Sequence, residues 1–139
     1  MFGVDDNVKT LAHHSEFQNA WWQRPNSLYP YLISVDGNAA GFNLIASKKS
    51  FPQEIDADFG VHEFFILRTY RKTGVAENAA IDGFSRHKGK WEVVADPLNE
   101  NTLAFWERII RKYTDDRFLK EKRVHVWGSK TCFTFDNSI

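Results

Sequence analysis

The chain has 139 residues, of which 42% are hydrophobic, 26% charged and 15% aromatic, and its 18 basic residues balance 18 acidic ones. This length and composition fit a single globular domain over residues 1–139. The zero net charge excludes a global field that would attract nucleic acid or an anionic membrane, although a local basic patch can still bind one small anion.

The first half of the chain predicts a helix, a hairpin and a strand. Residues 5–23 only partly keep helical spacing, and Pro25 follows them as a break. Three segments have the alternation and aromatic content of strands: Tyr29–Val35, Ala40–Ala46 and Phe59–Leu67. Asp36-Gly37-Asn38 is a tight-turn signal that joins the first two strands into a hairpin, and Ser47–Ile55 is predicted as a loop.

The second half changes period after Gly74. Val75 and Ala79 begin an apolar helical face that continues to Phe84, and His87-Lys88-Gly89 is typical of a helix C-terminus. Asn101–Tyr113 has the clearest helical stripe in the chain. Three segments are predicted as strands: Trp91–Ala95, Phe118–Lys122 and Val124–Phe135. This order of elements predicts an α/β or α+β fold with a mixed sheet.

The single cysteine, Cys132, excludes an intrachain disulfide and a cysteine-based zinc site, and its apolar surroundings predict a buried thiol on a strand. No apolar run approaches the roughly 18 residues of a membrane span. The acidic start Met-Phe-Gly-Val-Asp-Asp lacks the features of a signal peptide. We therefore expect a cytoplasmic protein with no membrane or nucleic-acid partner.

The segment Arg71-Lys72-Thr73-Gly74-Val75-Ala76 has the features of an anion seat between a strand and a helix. The first amides of a helix lack internal partners and carry the positive end of its dipole. Gly74 permits unusual dihedrals and a close backbone approach, while Arg71 and Lys72 add positive charge. The segment matches neither a Walker loop nor a dinucleotide fingerprint. These six residues alone leave open a basic surface loop before a core helix.

The surrounding order of features resembles the GCN5-related N-acetyltransferase (GNAT) family over most of the chain. Arg71–Ala76 matches the family's pyrophosphate loop, Arg/Gln-x-x-Gly-x-Gly/Ala. The other matching features, in chain order, are the hairpin with Asp36, Gly37, Ala40, Gly41 and Phe42, the strand Glu63–Leu67, the strand Trp91–Ala95, and Asn99 seven residues before Trp106.

The resemblance implies a mixed, mostly antiparallel sheet with helices on both faces and a central splay between two parallel strands. Acetyl-coenzyme A (acetyl-CoA) would enter between Glu63–Leu67 and Trp91–Ala95. Backbone groups of Phe64, Phe65 and Ile66 would pair with the pantetheine arm, and the amides of Arg71, Lys72, Thr73, Gly74, Val75 and Ala76 would hold the diphosphate. Asn99 would orient the pantetheine or the junction between strand and helix. The implied activity is direct acetyl transfer to a small-molecule or protein amine.

The catalytic residues are less closely determined. Glu63 is the candidate base, because it lies on the strand that would line the cleft and has aromatic neighbours that would raise its pKa by desolvation. Its alternative role is a structural hydrogen bond or salt bridge. His62 and Glu63 would point to opposite faces of a regular strand. Asp56 and Asp58 are weaker candidates, expected as solvated loop charges.

Two departures from the family pattern keep a second interpretation open. Trp106 occupies the slot of the usual tyrosine acid, and Tyr113 is expected at the core or rim. The part of the chain before Tyr29 is shorter than the family pattern by a strand or helix, so we expect an acceptor pocket that is open, degraded, or completed by a partner subunit in a homodimer. The alternative to an acetyltransferase is therefore a non-catalytic acyl-CoA-binding or interaction module on the same fold.

Several other polar and aromatic groups carry ordinary structural expectations. The histidines have no recognisable spacing for a metal, and we expect no metal site: His13, His14, His87 and His125. Trp21-Trp22 is expected to pack on the sheet, with an acceptor wall or dimer contact as the alternative. Lys120–Arg123 is expected to be a solvated strand end.

Overall fold

A computed structural model of the chain describes residues 2–5, 28–48, 57–125 and 128–138. These residues form one seven-stranded sheet and two α-helices. The elements, in chain order, are β1 (Phe2–Asp5), β2 (Leu28–Val35), β3 (Asn38–Ser47), β4 (Phe59–Ile66), α1 (Val75–Arg86), β5 (Lys90–Ala95), α2 (Glu100–Thr114), β6 (Leu119–His125) and β7 (Gly128–Asp136).

The strands lie in the order β1-β2-β3-β4-β5-β7-β6, and within this described sheet the β4–β5 pair is the one parallel pair. The predicted hairpin is β2–β3. Its turn residues Asp36 and Gly37 have φ of 51° and 83°, as a type I′ turn requires. The predicted mixed, mostly antiparallel sheet is therefore confirmed.

The two parallel strands part soon after they meet. Phe59 pairs with Trp91 and Gly60 with Glu92, whereas β4 continues to Ile66 and β5 to Ala95. Along these fully described strands, no pair beyond Gly60 and Glu92 joins them. The space between the diverging ends is called the β4–β5 gap below. It is the central splay that the sequence analysis predicts.

Helices α1 and α2 pack side by side on the same sheet face. Glu77 of α1 contacts Arg108 and Lys112 of α2, at 2.9 and 3.2 Å. Between helices and sheet lies an apolar core that includes Phe84, Trp91, Val93, Trp106, Ile109, Ile110, Phe133 and Phe135. We call this side of the sheet the helix face and the other side the opposite face.

Three details differ from the sequence predictions. A short strand that the sequence analysis did not predict, β1, is present before the hairpin, pairing from Phe2 with Val35 to Asp5 with Leu32. Ser47, predicted in a loop, ends β3. Val124 belongs to β6 and not to the following strand, because it pairs with Ser129 of β7.

Several predictions fall on residues outside the described ranges. These are the helix over residues 5–23 apart from Asp5, most of the loop over Ser47–Ile55, and the side chains of His13, His14, Trp21, Trp22, Asp56 and His125.

Candidate functional site

The loop between β4 and α1 is an exposed turn that ends at a glycine. After Ile66 the chain makes a short 3₁₀ turn over Arg68–Tyr70, and Gly74 is the N-cap of α1 with φ 88° and ψ −10°. The Thr73 hydroxyl donates to the Tyr70 carbonyl and so braces the turn. A Cβ added to Gly74 would meet no atom within 4 Å. The backbone is therefore accessible from the space in front of the helix.

Several backbone amides around Gly74 lack an acceptor among the described residues. Within the described part of the chain, the N–H groups of Lys72, Thr73, Gly74 and Ala76 have no acceptor, and no side chain caps the helix. The Val75 amide reaches only the Thr73 hydroxyl, at a long 3.5 Å. Adjacent amides at the positive end of a helix dipole have an arrangement that can bind an anion.

Among the charged side chains of the loop, one holds the loop in place and two others add positive charge at its surface. The Arg71 Nε donates to the Ile66 carbonyl at 3.0 Å, and its amide donates to the Arg68 carbonyl at 3.1 Å. Arg71 therefore holds the loop against the end of β4, and its amide differs from the free amides that follow it. Arg68 and Lys72 are exposed and leave the loop positively charged. Glu77 in the first turn of α1 is neutralised by its contacts with Arg108 and Lys112 on α2.

The walls of the β4–β5 gap are apolar and partly exposed. Phe65, Leu67 and Val94 are 40%, 42% and 40% exposed. Phe64 instead turns into the core, where its ring lies 5.3 Å from that of Trp106. Because side chains alternate along a strand, Glu63 and Phe65 lie on the opposite face.

A β-bulge distorts β4 next to Glu63. Leu44 pairs with Glu63 and Ile45 with Val61, so His62 is the extra residue. We expected His62 and Glu63 to point to opposite faces because we assumed a regular strand. The bulge shows that β4 is not regular at this position, so that assumption is wrong. Glu63 is solvent-exposed, so the burial among aromatic side chains that the sequence suggested is also absent.

Asn99 and Asp58 have structural contacts at the two ends of the gap. The Asn99 Oδ1 accepts from the Thr102 amide at 3.2 Å and caps α2 at its junction with β5. Asp58, expected as a solvated loop charge, accepts from the Lys90 amide at 2.9 Å through Oδ2 and donates its own amide to the Lys90 carbonyl at 2.8 Å. Asp58 thus fastens the start of β4 to the start of β5, where the gap closes.

Trp106 and Tyr113 belong to the core between the helices and the sheet. Trp106 is 5% exposed and contacts Phe64 and Phe84. The Tyr113 hydroxyl accepts from Asn137 Nδ2 at 3.2 Å, while its ring packs on Phe84. The core or rim position expected for Tyr113 agrees with these contacts.

A buried ion pair on the opposite face escaped the sequence analysis. Glu92 is 4% exposed, and its Oε1 accepts from Arg123 Nη1 at 2.5 Å. Arg123 is therefore not part of a solvated strand end, although the preceding residues of that run are exposed. Cys132 is buried as predicted, and burial, together with the neighbouring Glu92 charge, raises its pKa to about 11. The alternating charges of this run gave no signal that Arg123 reaches across β7 to Glu92 on β5.

His87 lies beyond the C-terminus of α1, among aromatic rings. Its Nε2 is 2.6 Å from the Tyr31 hydroxyl, and its ring lies 4.3 Å from that of Tyr29 and 5.1 Å from that of Phe59. Burial, and secondarily the Arg86 charge, lowers the pKa of His87. In the described residues, no group of three histidine, cysteine or acidic side chains is arranged to hold a metal.

The mixed sheet, the gap between its parallel strands and the loop that opens onto α1 together define the fold of the GCN5-related N-acetyltransferases. No protein-family model matches the sequence, and no curated protein matches it. None of the helices in the described ranges is long and apolar enough to cross a membrane.

Solved structures of acetyltransferases superpose on nearly the whole chain. A mutant of the spermidine N-acetyltransferase SpeG from Vibrio cholerae has a TM-score of 0.69 at 8% identity, covering 99% of this chain and 94% of its own. The ribosomal-protein alanine N-acetyltransferase from Escherichia coli gives 0.65 at 12%, covering 100% and 96%. A GNAT-family acetyltransferase from Elizabethkingia anophelis with acetyl-CoA bound gives 0.62 at 10%, covering 97% of each. At these identities the likeness establishes the fold.

Proposed function

We propose that the protein is an N-acetyltransferase that moves an acetyl group from acetyl-CoA to a primary amine. The observation that carries the proposal is the run of free amides around Gly74, which opens beside the β4–β5 gap. The free amides suit the phosphate end of a ligand, and the adjacent gap between strands suits an extended chain attached to that phosphate. The similar structures described above include an acetyltransferase with acetyl-CoA bound.

The residues of the loop fit the diphosphate of acetyl-CoA. The amides of Lys72, Thr73, Gly74, Val75 and Ala76 would donate to its oxygens, in the space that a side chain at position 74 would fill. Arg71 contributes positive charge and braces the loop, since its amide is already engaged. Charge-assisted bonds of this kind contribute about 1.5–3 kcal/mol each.

The gap fits the pantetheine arm as an added strand. Beyond Gly60, the described part of β4 bonds to β3 along one edge and leaves the other edge facing the gap. The backbone groups of Phe64, Phe65 and Ile66 would pair with the amides of the arm. Asn99 would act indirectly, by holding the β5–α2 junction that borders the gap.

The amine approaches from the opposite face. On the helix face the gap is covered by Phe64 packed against Trp106, whereas Glu63 is exposed on the other side. Acetyl-CoA, when bound, supplies the activated acetyl thioester. A carboxylate oxygen of Glu63 accepts a proton from the ammonium so that the neutral amine attacks, and positioning provides much of the rate. As the new N–C bond forms and the C–S bond of the thioester breaks, water would pass the second proton of the amine to the departing thiolate, because Trp106 has no phenol.

Calorimetry with acetyl-CoA followed by thiol release across a panel of amines tests the proposal. We expect binding, turnover with at least one amine, and a Glu63→Gln variant that keeps acetyl-CoA affinity while its kcat falls at least tenfold. Absence of acetyl-CoA binding would overturn the cofactor assignment. An unchanged kcat in Glu63→Gln would remove Glu63 from the reaction.

A second candidate is a non-catalytic acyl-CoA-binding module. It is favoured by Trp106, which is buried in the core at the place where the resemblance leads one to expect a tyrosine acid. Binding of acetyl-CoA without thiol release from any amine would support this function. We also propose that the chain is a single cytoplasmic domain and that it forms a homodimer. Light scattering with and without acetyl-CoA measures the oligomeric state directly.

A further inference from the structure

We propose that the acceptor is a monoamine with an apolar, preferably aromatic, body, and that the site disfavours polyamines. This inference rests on the proposed function, because it concerns the acceptor side of the same site. It is carried by the side chains that border the β4–β5 gap on the opposite face and by the charges around them.

The register of the strands brings one carboxylate and one apolar side chain to the same level of the gap. Counting from the last paired residues, Gly60 and Glu92, Val94 is two residues along β5. Glu63 is three residues along β4, and the bulge at His62 absorbs one of them. Since Val93 is in the core on the helix face, Val94 faces the same way as Glu63. An ammonium group held by Glu63 therefore has Val94 across the gap from it.

The floor beyond Glu63 is aromatic. Phe65, two residues along β4 on the same face, is 40% exposed, as is Val94. The ring of Phe65 stacks on Phe42 of the neighbouring strand, with ring centroids 5.6 Å apart. An apolar body attached to the amine would cover these surfaces, and aromatic rings prefer such offset stacking.

The remaining charges of this face do not suit a polycation. The carboxylate of Glu92 is buried against Arg123, and Arg123 also lies 3.8 Å from Glu121. On β7, Lys130 adds a further cation, 4.0 Å from Asp96. A second or third ammonium of a polyamine would lie on apolar surface without a paired carboxylate among these residues, which is unfavourable.

The test compares 2-phenylethylamine with spermidine as ligands of the protein saturated with coenzyme A, using calorimetry. Wild-type protein should bind 2-phenylethylamine at least tenfold more tightly. Val94→Asp adds a second carboxylate across from Glu63, so the ratio of the two affinities should shift by at least tenfold towards spermidine. Val124→Asp is the matched control, because Val124 is 88% exposed on the edge strand β6, and it should keep the wild-type ratio.

Thiol release with both amines separates failure of this inference from failure of the proposed function. Tighter binding or faster turnover of spermidine by the wild type would overturn the acceptor class and leave acetyl transfer intact. An equal shift in Val94→Asp and Val124→Asp would also overturn it, since the effect would then be general electrostatics. Failure of coenzyme A to bind would overturn both proposals at once.

Discussion

Substitution of Gly74 by valine should lower both the Tm of the protein and its affinity for acetyl-CoA, and the two effects can be measured separately. Gly74 has φ of 88°, and the space around its missing Cβ is open. Left-handed backbone costs a non-glycine residue about 1–2 kcal/mol, and branching at Cβ adds to that cost. For a chain of this length about 1 kcal/mol lowers Tm by roughly 3 °C, so we expect Gly74→Val to melt about 3–6 °C or more below wild type and still fold.

The effect on ligand affinity should be larger. The valine side chain would occupy the space in front of the amides of Gly74, Val75 and Ala76. Loss of two charge-assisted hydrogen bonds, at about 1.5–3 kcal/mol each, removes roughly 3–6 kcal/mol of binding. The Kd for acetyl-CoA should therefore rise at least about 100-fold.

Gly37 offers a closely matched control for this experiment. It has φ of 83°, also with no atom within 4 Å of an added Cβ, but lies in the β2–β3 turn. Gly37→Val should lower Tm by a similar amount and leave the Kd for acetyl-CoA, measured by calorimetry, within about twofold of wild type. If the two variants lose affinity equally, or if Gly74→Val binds normally, the assignment of the loop is wrong.

Three further predictions concern stability and reactivity. Asn137 Nδ2 donates to the carbonyls of Phe84 and His87, at 2.7 and 3.2 Å, so Asn137→Ala should cost about 1–3 kcal/mol in urea unfolding; an unchanged midpoint would contradict this cap on α1. The pKa of His87 is lowered from 6.5 in the folded state, so the unfolded chain binds the proton first as pH falls. The free energy of unfolding should therefore decrease below pH 6.5. A His87→Gln variant whose free energy of unfolding has the same pH dependence as wild type would contradict this contribution. The Cys132 thiol, with its pKa near 11, should resist iodoacetamide at pH 8 until denaturant is added, and rapid labelling of native protein would show that it is accessible.

The fold was largely predictable because its signals are local. The type I′ turn at Asp36-Gly37 set the hairpin, and the change to helical spacing after Gly74 set α1. By contrast, β1 was missed because four residues carry too little periodicity to indicate a strand. The end of β6 was misjudged because the charged run Lys120–Arg123 resembles a solvated strand end, whereas β6 continues through His125, which pairs with Gly128.

The features of the candidate site that depend on the backbone were predictable from the sequence. The free amides around Gly74 and the position of the gap follow from the order of the elements. Side-chain contacts across the sheet did not follow, because they depend on register: Arg71 turns back to Ile66, Asp58 fastens two strands, and Arg123 reaches Glu92. The bulge at His62, which orients Glu63, likewise has no signature in the sequence of one strand.

The short β4–β5 junction has a consequence for the order of folding. Strands β1 to β4 lie within residues 2–66 and strands β5 to β7 within residues 90–136, so each half of the sheet is continuous in sequence. The halves meet at two residue pairs, Phe59 with Trp91 and Gly60 with Glu92, and a parallel pair needs the long crossover through α1 before it can form. We therefore expect the two halves of the sheet to form first and the β4–β5 junction last. A substitution of Asp58 that removes its contact with Lys90 should then accelerate unfolding and leave the folding rate, measured by stopped flow, unchanged. The β4–β5 junction, beside which the ligand would bind, is then the last part of the described sheet to form during folding and the first to separate during unfolding.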